Sequence, residues 1–171
     1  MNKDYIGYEY RNKVVKKKYE SIYMDSYENY GWLIDERAAS IRKVDHITLK
    51  LKRDRKITNK AELSRLQKQF ESHVQEIDTL ETSKYIVAST VAYIIGIIGC
   101  AFMAGGVFAI TASTPNVPLC AFFGIIGFIG WVLPYLCYRT ILQRKAEKID
   151  PLINNKYEDI YQVNRRAHAL L

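Results

Sequence analysis

The sequence predicts an α+β membrane protein: a two-helix transmembrane hairpin, a cytoplasmic helical stalk and a small N-terminal β-α-β-β domain. Three observations predict it. Residues 85–138 contain no Asp, Glu, Lys, Arg or His. One short polar break divides that stretch into two runs, each long enough to cross a bilayer. Before residue 58 the apolar residues recur first at every second position and then at helical spacing, which marks strands and a helix in a small folded region.

Averages hide this organisation. A hydrophobic share of 49% and a charged share of 25% describe an ordinary soluble protein. The charges, however, are segregated: residues 1–58 carry 14 Lys/Arg against 9 Asp/Glu, residues 59–84 carry 4 against 5, and residues 139–171 carry 7 against 4. The first ten residues lack the charged, apolar and small succession of a cleavable signal peptide. Cys100, Cys120 and Cys137 all lie in the apolar stretch, an odd number that points to small packing residues and not to a disulfide framework.

Taking the elements in order, residues 5–15 alternate, with Ile6, Tyr8, Tyr10 and Val14 expected on the core face and Glu9, Arg11 and Lys13 on the solvent face. Residues 16–30 change period: Tyr19, Ile22, Tyr23, Tyr27 and Tyr30 recur as on a helix, which Gly31 is placed to end. Trp32-Leu33-Ile34 opens a second strand. His46 to Lys52 alternates as a third, with Ile47, Leu49 and Leu51 inward. Residues 1–58 are thus read as one small cytoplasmic domain, near the lower limit for a core that folds unaided.

Residues 59–84 read as a stalk helix running into the first span. Asn59 with Glu62 has capping-box spacing. Leu63, Leu66, Phe70, His73 and Ile77 form a coiled-coil seam. The first span, 85–110, would be about 39 Å long, and the second, 117–138, about 33 Å, against a hydrocarbon core of roughly 30 Å. The linking residues 111–116 are a short polar loop expected outside. Lys84 precedes the first span, and Arg139, Arg144, Lys145 and Lys148 follow the second, so the positive-inside rule puts both termini in the cytoplasm. Small residues recur at every fourth position of the first span, at Ala88, Ala92, Gly96, Cys100 and Ala104, and the second carries Cys120 and Gly124, then Gly127 and Gly130. Such ridges let helix backbones approach closely, either within one hairpin or between chains.

Residues 139–171 continue as cytoplasmic helices, with Leu142, Ala146, Ile149, Ile153, Tyr157 and Ile160 as their stripe and a restart at Asp150-Pro151. If the two long segments pair antiparallel with the spans level, residue i faces residue about 223 − i. Phe70 then meets Ile153, Leu63 meets Ile160, and His73 lies level with Asp150.

Tyr8-Glu9-Tyr10-Arg11, Tyr30-Gly31-Trp32-Leu33 and Leu49-Lys50-Leu51-Lys52-Arg53 together resemble a small uncharacterised bacterial module with a Tyr-Glu-Tyr-Lys opening, a Gly-Trp-Glu-Leu centre and a closing Lys-Arg strand. The resemblance covers about a third of the chain, Leu33 replaces the module's usual Glu, and it implies a fold and no activity. The whole chain is similar to small two-span membrane proteins of Gram-positive anaerobic bacteria, a likeness that brings no catalytic residues.

No nucleophile stands with a base, no His or Cys pair has metal spacing, and no glycine-rich phosphate loop is present. Catalytic, cofactor-binding and metal-binding residues are therefore read as none. The absence of ionisable groups from the spans counts against a self-contained transporter. The expected partners are membrane lipid and another membrane protein or a second copy, with no nucleic acid. The expected role is that of a non-enzymatic accessory, scaffold or regulatory subunit. The alternatives are an oligomeric pore or transporter component, and a membrane-tethered sensor that binds a ligand or anionic lipid through residues 1–58.

Overall fold

The computed structural model describes residues 7–40, 44–111 and 116–171. Ile6 and most of the loop expected at 111–116 lie outside the described residues. The fold is α+β. Strand β1 (Tyr8–Lys16) leads through a single 3-10 turn (Lys17–Tyr19) into helix α1 (Glu20–Glu28); β2 (Trp32–Ala39), β3 (His46–Asp54), α2 (Lys60–Thr111) and α3 (Val117–His168) follow. The three strands form one antiparallel sheet in the order β1-β3-β2. The last strand is therefore central, with Leu51 opposite Arg11 on one side and Ile34 on the other. Gly31 ends the α1 segment at φ +78, a left-handed conformation that favours glycine.

Two compact units make up the chain. One consists of residues 1–75 with 156–171, the other of residues 76–155. The sheet region does not close on itself at residue 58. One nine-residue helix cannot cover a three-stranded sheet, and the missing layer comes from the first turns of α2 and the last turns of α3. Phe70 of α2 is fully buried and lies 5.2 Å from Tyr23, 6.2 Å from Tyr27 and 5.9 Å from Tyr30, ring centre to ring centre. Leu49, Leu51, Leu63 and Leu66 complete this core with Ile160 and Val163 of α3.

The faces of β1 are the reverse of those expected. Val15 is buried, whereas Tyr10 is 71% and Val14 48% exposed. Alternation alone does not say which set faces inward. Glu9 and Lys13 can turn inward because Arg53, Lys60 and Glu71 are there to pair with them. The capping box at Asn59 does not form either. Asn59 adopts a left-handed φ of 56°, its amide donates to the Leu170 carbonyl at 3.3 Å, and Glu62 pairs with Arg65 instead.

In the second unit α2 and α3 run antiparallel as two helices long and apolar enough to cross a membrane. Helix α3 continues without a restart through both Pro134 and Pro151, and Asp150 accepts from Lys84 where a capping role was expected. The pairing register also differs. Gly99 meets Gly130 and Asn59 reaches Leu170, which is about six residues further along α3 than level spans imply. The apolar runs are unequal in length and are in phase at the turn, so their polar ends are staggered. His73 accordingly has Asp159 beside it in the same depression, and Asp150 is paired elsewhere.

Candidate functional site

Three features of the two units bear on function: the contact between the apolar helices, their outward surface, and a polar network under the sheet.

The apolar helices touch through glycine. A Cβ on Gly99 would lie 3.0 Å from the Gly130 carbonyl carbon, and one on Gly130 would lie 2.7 Å from the Gly99 Cα. A Cβ on Gly127 would come 2.5 Å from Met103 and 3.1 Å from the Gly99 carbonyl oxygen. Pro134 contributes here as well. It has no N–H, so the Gly130 carbonyl loses its helical donor, and that oxygen is 3.1 Å from where a Gly99 Cβ would stand. Nearer the turn a Cβ on Gly106 would meet Cys120 O at 3.5 Å, and Phe102 packs on Phe123 with ring centres 6.0 Å apart.

Of the predicted packing residues, Ala88 and Gly127 are buried, and Ala92 is half-buried. Gly96 and Gly124 have open space where a Cβ would be, and Cys100 and Ala104 are exposed. A four-residue spacing turns by about 40° per step on a helix of 3.6 residues per turn, so a ridge begun at Ala88 has swung to the far side by Ala104. The residues that remain in phase with Ala88, Gly99 and Gly106, follow it by close to whole numbers of turns. That spacing was present in the sequence and was obscured by the more regular fourth-position ridge.

The outward surface is apolar. In the most apolar windows of α2 and α3, 11% and 6% of the residues are buried. Tyr93, Ile97, Phe108, Phe122, Ile125, Phe128, Trp131 and Tyr135 are each more than half exposed. Gly96 and Cys100 form the floor of a shallow cavity of about 410 Å³ walled by Tyr93, Ile97, Trp131 and Pro134. The Thr90, Thr111 and Thr140 hydroxyls each donate to the carbonyl four residues earlier, which satisfies them without water.

In the first unit the stalk-seam residues Leu63, Leu66 and Phe70 are buried, as is Ile77 in the second. His73 is half-buried, and Val74 takes the inward position beside it. The His73 Nδ1 is buried without a hydrogen-bond partner and lines a depression of about 370 Å³ with Gln69, Asp159, Gln162 and Arg166. Sequence reading did not find the polar network. Glu71 accepts from Lys13 at 2.5 Å, from the Tyr27 hydroxyl at 2.7 Å and from the Gln67 amide at 2.8 Å; Gln67 in turn accepts from the Trp32 indole at 2.9 Å. Arg53, fully buried, donates twice to Glu9, at 2.8 and 2.5 Å, and lies 4.4 Å over the Trp32 ring. Tyr30 donates to Asn164, whose amide donates to Ser26. The missed signal was Glu9 and Lys13, four apart on one face of a strand that precedes a helix carrying Gln67 and Glu71 one turn apart.

Burial pushes the Glu71 carboxyl up, but hydrogen bonds from Lys13, Tyr27 and Gln67 outweigh it and hold the group below the ordinary carboxylate range. Glu9 is likewise held low, the bonds from Lys60 and Arg53 overcoming its burial. Tyr27 and Tyr30 are raised, by burial first and then by the Glu71 charge, so both phenols stay protonated. A depressed carboxylate adds stability above its unfolded value that disappears as pH falls through the folded one. A raised phenol adds stability below roughly pH 10 that is lost above it. Denaturant titration of the full chain carrying Trp131→Phe, so that Trp32 is the fluorophore, is expected to show falling stability below about pH 4.5 and above about pH 10. Glu71→Gln is expected to flatten the acid limb.

Among the described residues no three His, Cys, Asp or Glu side chains lie close enough to hold a metal ion. Comparisons with protein-family models, with curated proteins and with solved structures find no match to this chain.

Proposed function

We propose that the chain is a non-enzymatic integral membrane protein, with both termini in the cytoplasm, that acts through protein partners and through self-association. One observation carries the membrane half of this reading: two long antiparallel helices expose almost all of their most apolar windows. Exposed apolar area on that scale is unfavourable in water by roughly 25 cal/mol per Å² and costs nothing in hydrocarbon. The self-bonded threonines support the same reading, because a lipid environment requires hydroxyls to be satisfied within the helix. The partner half rests on the ridge that the hairpin leaves open. Gly96 and Cys100 floor an outward cavity, the kind of small-residue surface on which a further helix can pack closely. A pore is disfavoured because the apolar segments carry no Asp, Glu, Lys, Arg or His.

In native membranes the chain is expected to resist alkaline carbonate extraction. Asn116→Cys, in a chain whose own cysteines are replaced by alanine, is expected to react with an impermeant maleimide only from outside the cell. With Cys120 and Cys137 alone replaced, mild oxidation is expected to link Cys100 between copies. Extraction by carbonate would remove the membrane reading, and a strict monomer without any crosslinked neighbour would remove the partner reading.

A further inference from the structure

We infer that the polar continuation of α3 beyond the apolar segment is a docking surface for anionic phospholipid headgroups, an inference that rests on the membrane reading above. Arg139, Arg144, Lys145 and Lys148 follow the charge-free stretch directly. Among the described residues none of the four has a carboxylate partner, whereas Lys84 is paired with Asp150 and is only 12% exposed. Arg139, Arg144 and Lys148 are exposed and Lys145 is half-buried.

Their placement round the helix favours a charged surface over a single bound molecule. At about 100° per residue, the four cations spread over a sector of roughly 240° running from Arg139 round to Lys145. Leu142, Ala146 and Ile149 occupy the rest; Ile149 is buried and the other two are half-buried. Arg144 and Lys148 therefore lie opposite the packed seam of α3 while Arg139 and Lys145 flank it on either side, and the four do not converge on one point. Along the axis the band from Arg139 to Lys148 measures about 13.5 Å. With the reach of flexible Arg and Lys chains, this spans a headgroup layer of roughly 5–8 Å per leaflet that begins where the apolar segment stops. The acids in the same stretch are Glu147 and Asp150, and Asp150 is already engaged by Lys84. The turn end of the hairpin carries no charge on Thr111, Asn116 or Val117. The attraction is thus confined to one leaflet, where an anionic surface concentrates basic side chains.

The full chain, exchanged into vesicles of equimolar phosphatidylglycerol and phosphatidylcholine and re-extracted in mild detergent, tests this by quantifying the retained lipids. Phosphatidylglycerol is expected to exceed phosphatidylcholine by about threefold or more at low salt. The ratio is expected to approach one at about 1 M salt, where screening is nearly complete. The combined Arg139→Gln, Arg144→Gln, Lys145→Gln and Lys148→Gln variant is expected to lose the preference, and Arg139→Lys with Arg144→Lys is expected to keep it. Equal retention of the two lipids by the unmodified chain at low salt overturns the inference. A preference that survives the fourfold neutralisation overturns its assignment to these residues. Release of the chain by alkaline carbonate overturns the membrane reading itself and is scored separately.

Discussion

Phe70→Ala is expected to destabilise the sheet unit by about 3–5 kcal/mol, enough to leave much of it unfolded. The side chain is fully buried and has three tyrosine rings from α1 and its turn packed round it. Truncation removes its own burial and leaves a cavity bounded by rings that cannot collapse inward, since the Tyr27 and Tyr30 hydroxyls are tied to Glu71 and Asn164. Guanidinium titration followed by near-ultraviolet circular dichroism would report the loss. Gln69→Ala, one residue away and exposed, is expected to change stability by no more than about 0.5 kcal/mol. Equal effects at the two positions would show that Phe70 does not organise this core.

Gly130→Val is expected to force the two apolar helices apart at a cost of about 1–3 kcal/mol or more, because the new Cβ would stand 2.7 Å from the Gly99 Cα. The obstacle is backbone on a packed helix, so no rotamer change relieves it. A Cβ at Gly96 or Gly124 meets nothing within 4 Å, and the same substitution there is expected to leave the hairpin intact. Thermal denaturation of the three variants in one detergent, compared with the unmodified chain, separates these cases. A hairpin that loses as much stability from Gly96→Val as from Gly130→Val would not be packed through Gly99 and Gly130.

The contrast between these glycines also shows what the sequence could reveal. The apolar segments, the three strands and the tyrosine helix were legible because each depends on local periodicity or on an unbroken absence of charge. The inward face of β1 was not, since alternation is symmetrical and the choice was made by partners far along the chain: Arg53 and Lys60 for Glu9, and Glu71 for Lys13. The helix contact was placed correctly at Ala88, Gly127 and Gly130 but not on the rest of the first span, for a different reason. Several small residues shared one stretch of helix, and a strict four-residue repeat drifts off any straight line of contact. The polar network needs residues from β1, α1, β2 and α2 together, so no single window of sequence displays it.

The division of the core between distant parts of the chain has a consequence for biogenesis. Strand β1 pairs with β3, some thirty residues later, and the layer over the sheet is not complete until residues 156–171 have been made. A chain growing on the ribosome therefore releases both long apolar segments before the layer over its sheet is complete. Contacts so widely separated make folding slow, and an unfinished sheet with open edges is the species at risk of aggregation.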